Sequence, residues 1–272
     1  MSEELLARIA SALERMAPPA AVSDDALTHP AYVWRNGALR AARAFAPLPL
    51  ALLEGMDAQK EAVVGNMRRL SQGLPAHDVL LWGARGTGKS ALVKAAIGEI
   101  QAEGGALALV EVAGDGLAEL PQLFAALADV PRAFVLFIDD LGFAEPSEAP
   151  RLLRSVLEGG AEARPDNMRL HVTANRRHIV ARDMAEQDAA INPRDVADDK
   201  LALADRFGLS LGFHVIDQPT YVAMLEGYAR QYGLTLDAHD AISWATQRGG
   251  RSGRVAWQYV VELAGRQGKS LS

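Results

Sequence analysis

The chain has 272 residues, 49% of them hydrophobic and 23% charged, with a formal net charge of -6 and no cysteine. That is enough chain to bury one large core or two small ones, and it is too apolar for a wholly disordered polymer. Without cysteine, disulfides, thiolate zinc sites, iron–sulfur clusters and cysteine nucleophiles are excluded. The start, MSEELLARIA, is acidic where a secretory leader is basic, and AFAPLPLALL (44–53) is too short to span a bilayer and holds two prolines. A soluble, cytoplasmic protein with no membrane partner is expected.

Taken in chain order, residues 1–45 read as a helical extension. Leu5, Leu6, Ile9, Leu13 and Met16 recur at helical spacing behind Ser2, and APPAAVSDDALTHP follows as a linker. AYVWRNGALRAARAF then carries Arg35, Arg40 and Arg43 without an acid, either a solvated helix face or a contact for a partner or nucleic acid. Over 46–216 short apolar runs alternate with helical stretches: VLLW (79–82), LALVEV (107–112), AFVLFI (133–138), LHVTA (170–174) and LGFHVI (211–216). Alternation of this kind predicts an open α/β sheet, with AFVLFI as a central parallel strand. Residues 217–272 predict a smaller helical domain: helices around Thr220–Gln231 and Ala238–Gln247, and a third opening after Ser252. Within the first of these domains, 183–200 holds six acids against two bases. Most of the net charge is therefore local, and it does not exclude a polyanion partner.

The densest chemistry is GARGTGKS: Gly83, Ala84, Arg85, Gly86, Thr87, Gly88, Lys89 and Ser90, running into Ala91. It follows a predicted strand and opens a predicted helix. In that setting glycines let backbone N–H groups close around phosphate oxygens at a helix N-terminus. Lys89 would reach the β- and γ-phosphates and Ser90 would coordinate Mg²⁺, so ATP and Mg²⁺ are the implied cofactors. Asp139 and Asp140 end the AFVLFI run, at the strand edge where open sheets bind ligands. Asp139 is assigned to the metal and Asp140 to orienting or deprotonating the attacking water. Asn175, closing LHVTAN, would contact the γ-phosphate and that water. His171 and His178 show no metal-ligand spacing and read as packing or surface residues.

The order GARGTGKS, FVLFIDD, VTAN, ADRF and a late helical arginine resembles the AAA+ ATPases. LLEGMDAQKEAV, FIDDLGF, LEGG, TANRRHIV, LADRFGLSLGF and GGRSGRVAWQ resemble, more closely, a bacterial family of stand-alone AAA+ ATPases catalogued as a domain of unknown function. The resemblance implies a P-loop NTPase with a five-stranded parallel sheet in order 5-1-4-3-2, a C-terminal helical lid and ATP hydrolysis. It places Leu53, Glu54 and Gly55 near the adenine. It makes Arg206 an arginine finger acting on a neighbouring subunit, the alternative being a salt bridge to Asp205 or another neighbour. Arg254 becomes the lid's sensor, with Arg251 as the fallback. A homo-oligomer assembled on ATP, acting on a protein or DNA client, is expected. A slow ATP-dependent assembly switch is the alternative, and a P-loop kinase a remote one. Two departures stand out. The acidic pair is Asp–Asp where AAA+ proteins usually carry Asp–Glu, and VAGDGLAEL lacks the aromatic residue of a polypeptide-threading pore loop.

Overall fold

The computed structural model describes residues 23–141, 149–158, 164–175 and 205–271. AFVLFI has no polar position to turn toward water, and it becomes the middle of the sheet. All six residues of this strand, Ala133–Ile138, are buried. Ala133, Val135 and Phe137 enter the apolar layer on one face and Phe134, Leu136 and Ile138 the layer on the other.

Among the described residues seven strands form the sheet: β1 (Ala31–Arg35), β2 (Ala38–Ala41), β3 (Val79–Gly83), β4 (Leu107–Val112), β5 (Ala133–Ile138), β6 (Met168–Asn175) and β7 (Leu209–Phe213), in order β2-β1-β4-β5-β6-β3-β7. The five expected strands, β3 to β7, are mutually parallel and stand in the implied 5-1-4-3-2 order. The expectation of five strands is corrected to seven, and the helical reading of residues 31–45 with it. AYVWRNGALRA folds as a hairpin, β1 parallel to β4 and β2 antiparallel to β1. It turns at Asn36 and Gly37, whose φ values of 53° and 70° suit a two-residue hairpin turn. Tyr32, Trp34 and Leu39 are buried against the sheet's main core, which outweighs the helix propensity of the Ala- and Arg-rich stretch. Residues 1–22 lie outside the described residues, as do His178 and the acidic segment 183–200.

Helices α1 (Asp57–Ser71) and α2 (Lys89–Ala102) cover one face of the sheet through Val63, Met67, Leu92 and Ile97. On the other face α3 (Leu120–Leu127) and α4 (Ala149–Glu158) contribute Leu123, Leu127 and Leu153. Then α5 (Gln218–Tyr232), α6 (Ala238–Gln247) and α7 (Gly253–Arg266) close around Tyr221, Leu225, Tyr259 and Val260, a cluster of their own. Each of the three begins at a side-chain cap: Asp217 accepts from the Thr220 N–H, Asp237 from His239 and Ser252 from Val255. Leu52 joins this cluster while its neighbour Leu53 belongs to the layer beneath α2, so the segment before α1 bridges the two parts. Among the described residues no helix is long and apolar enough to cross a membrane.

Candidate nucleotide-binding site

Strand order decides which side chains meet. Because β6 lies between β5 and β3, the residues ending it stand between the Asp139–Asp140 pair and the glycine-rich loop. Gly83 is in register with Asn175 and Leu81 with Thr173, so all of these reach the same edge of the sheet.

The loop after β3 is shaped by its glycines. Gly86 and Gly88 take φ values of +74° and +93°, where L side chains are strained. A Cβ on Gly86 would lie 2.9 Å from the Ser252 Cβ, and one on Gly88 2.8 Å from the Met56 Cε. Gly88 stands at the N-cap of α2, which aims the loop and the first N–H groups of that helix at one spot. Lys89 is buried, and its ammonium donates to the carbonyls of Gly83 at 3.0 Å and Ala84 at 2.7 Å. Burial pushes its pKa below the usual lysine value, Arg85 adds to the depression, and the carboxylates of Asp140 and Asp139 oppose it. The Thr87 hydroxyl donates to the Ala84 carbonyl at 2.8 Å and pins the crest of the loop.

Across the edge, Asp139 Oδ1 accepts from the hydroxyls of Ser90 and Thr173, each at 2.6 Å. Two hydroxyls converging on one carboxylate make an all-oxygen donor set, the kind Mg²⁺ prefers. Asp140 has a φ of +49°, an uncommon conformation for a non-glycine residue, and its N–H donates to Thr173 Oγ1 at 2.7 Å. Its carboxylate accepts from Asn175 Nδ2 at 2.5 Å and faces the Arg85 guanidinium at 3.6 Å. Lys89, Ser90, Asp139, Asp140 and Asn175 therefore form one constellation.

The remaining expected residues fall in two places. Gly55 has a φ of +75° and abuts α5: a Cβ there would lie 2.4 Å from Thr220 Cγ2. Leu53 is buried beneath α2. Exposed Arg254 stands in the first turn of α7, beside Gly86. Arg206 is not brought to the loop within this chain; its Nε donates to Glu158 Oε1 at 2.8 Å, and a terminal nitrogen donates to the same oxygen. Glu158 stands at the end of α4.

A family model described as Protein of unknown function (DUF815) matches residues 27–267. The chain belongs to that family. A comparison with curated proteins returns no match. Among solved structures, the DUF815 chain is similar to the Thermotoga maritima RuvB Holliday junction branch migration motor, at 18% identity and a TM-score of 0.50, covering 79% of this chain and 63% of that one. It is similar to Aeropyrum pernix ORC1 in complex with DNA, at 15% identity and a TM-score of 0.54, covering 83% and 66%. It is also similar to the FIGL-1 AAA domain in complex with ADP, at 17% identity and a TM-score of 0.51, covering 82% and 75%. The DUF815 chain thus spans a little under two thirds of the length of RuvB and has the α/β fold of AAA+ P-loop proteins.

Three features of the DUF815 site escape a reading of motifs. Thr173, which ties Asp139 to Asp140, was legible only as the residue sharing Asn175's face by strand alternation. The Arg85 side chain occupies a position where the motif accepts any residue. The contact of the loop with α7, Gly253 N–H to Gly86 O at 2.8 Å, joins residues far apart in sequence and leaves no local signal.

Proposed function

We propose that this chain is an ATPase that binds and hydrolyses Mg²⁺·ATP. The reading rests on one arrangement: Lys89 in a left-handed glycine loop, the Ser90–Asp139–Thr173 oxygen cluster and the Asp140–Asn175 pair, all on one sheet edge. The residues fit the nucleotide, because the loop has no room for side chains on Gly86 and Gly88 and carries a lysine buried beside two carboxylates. Lys89 would hold the β- and γ-phosphate oxygens. Ser90 and Asp139 would hold Mg²⁺, which offsets phosphate charge as a Lewis acid. Asp140 would orient or deprotonate the attacking water, with Asn175 fixing the carboxylate and the water together.

Arg206 would act on the nucleotide of a neighbouring subunit in a homo-oligomer formed on ATP. Residues 46–216 would form the nucleotide-binding domain and 217–272 a lid, with Arg254 facing the phosphates from the start of α7. Leu53, Glu54 and Gly55 would line the adenine side. The work done would be remodelling or loading of a macromolecule in the cytoplasm. Since RuvB is a Holliday junction motor and ORC1 was solved with DNA, DNA or a DNA-bound protein is the first client to try. Polypeptide threading is disfavoured: Gly114–Glu119 folds as a 3₁₀ turn with Leu117 and Leu120 buried, in the place where a pore loop would project. The same feature favours a slow assembly switch as the second reading.

The test compares ATP binding with phosphate release. Lys89→Ala should lose ATP binding, whereas Asp140→Asn should bind ATP and release little phosphate. Undiminished ATP affinity in Lys89→Ala would remove the site.

A further inference from the structure

Asp140 is held from two sides: Asn175 donates to one carboxylate oxygen and Arg85 faces the other at 3.6 Å. The two partners differ in kind. Asn175 is a neutral amide fixed at the end of a strand, whereas Arg85 rides on the phosphate-enclosing loop between Gly83 and Gly86. Its side chain is 76% exposed, and that of Asp140 is 60% exposed, so neither is locked by packing. Its charge is also felt by Lys89.

On the ATPase reading, Asp140 marks the γ end of the site, because the water it serves attacks there. On that reading, a guanidinium 3.6 Å from that carboxylate would lie within reach of the terminal phosphate. We infer that Arg85 is a ligand of the terminal phosphate contributed by the loop itself, shared between that phosphate and Asp140. A γ-phosphate carries more negative charge than one carboxylate and offers oxygens spaced for the guanidinium fork, so it competes for Arg85. ADP lacks that group and leaves Arg85 with Asp140. Arg85 thereby lets the chain tell ATP from ADP without a neighbouring subunit, and ties the freeing of Asp140 to the presence of the third phosphate. The inference rests on the ATPase reading and adds a specificity-determining side chain to it.

Displacement of a fluorescent nucleotide by ATP and by ADP, both with Mg²⁺, tests it in wild type, Arg85→Ala, Arg85→Lys, Asp140→Asn and the Arg85→Ala/Asp140→Asn double variant. Arg85→Ala should weaken ATP about tenfold, the size of one charge-assisted hydrogen bond, and leave ADP unchanged. Arg85→Lys should fall between. Asp140→Asn should tighten ATP when Arg85 is present and have no such effect in the double variant, because the competition it relieves is for Arg85. If ATP and ADP weaken together in Arg85→Ala, Arg85 serves phosphates common to both, and if neither changes it is a surface ion pair; in either case the inference fails while the ATPase reading stands. If the wild type binds neither nucleotide, the ATPase reading fails and the inference with it.

Discussion

His171 is fully buried in β6 with Phe137 and Val79 as its register partners, and neither ring nitrogen has a hydrogen-bond partner among the described residues. Burial alone pushes its pKa down to about 3. The unfolded chain protonates this ring near pH 6.5, and the folded chain does not until about pH 3. The folded state is therefore fully favoured above pH 6.5 and loses roughly 1.4 kcal/mol per pH unit below it, down to about pH 3. Urea midpoints measured from pH 7 to 4 should fall less steeply for His171→Leu than for wild type; equal slopes would show that His171 has no part in the acid sensitivity. The sequence reading of this residue as packing is what the structure shows. The placement of a side chain was legible wherever the pattern is local, as in Lys89, Ser90 and the acidic pair, which the structure brings to one sheet edge. It was not legible for the Arg206–Glu158 pair, 48 positions apart, because nothing in a linear pattern selects one acid among many.

At the level of elements, α7 carries a particular burden, because its first residues touch the glycine-rich loop. Ser252 caps the helix through the Val255 N–H at 3.2 Å, and Gly253 N–H bonds to the Gly86 carbonyl. Ser252→Ala should cost about 1 kcal/mol in a denaturant titration, the usual worth of such a cap, and Ser252→Thr should recover most of it. An unchanged midpoint in Ser252→Ala would mean that α7 is held by its apolar face alone. The three C-terminal helices were readable because caps and 3.6-residue periodicity are local properties. The β1–β2 hairpin was misread for the opposite reason. Ala and Arg favour helix locally, and what overrides them is burial of Tyr32 and Trp34 beside β4, more than seventy residues away in sequence. The Asn36–Gly37 pair was the local clue.

For the whole molecule, the unbroken apolar run AFVLFI marked the central strand, while the order of the other strands came from the family resemblance. That order brings Lys89, Ser90, Asp139, Asp140 and Asn175 to one edge, and Arg206 bonds to Glu158 away from it. On the proposed reading, Arg206 would exchange Glu158 for the phosphate of a neighbouring subunit's nucleotide. Arg206→Ala should leave ATP affinity close to wild type and lower turnover at least tenfold, arginine fingers being worth about 10³ or more in GTPases. Wild-type turnover per chain should rise with protein concentration, and concentration-independent turnover would contradict a shared site. Hydrolysis at Asp140 is measured most directly by phosphate release from Asp140→Asn at saturating ATP. Bound nucleotide with release reduced about a hundredfold or more is expected, the usual loss of a general base; release at the wild-type rate would remove Asp140 from the reaction.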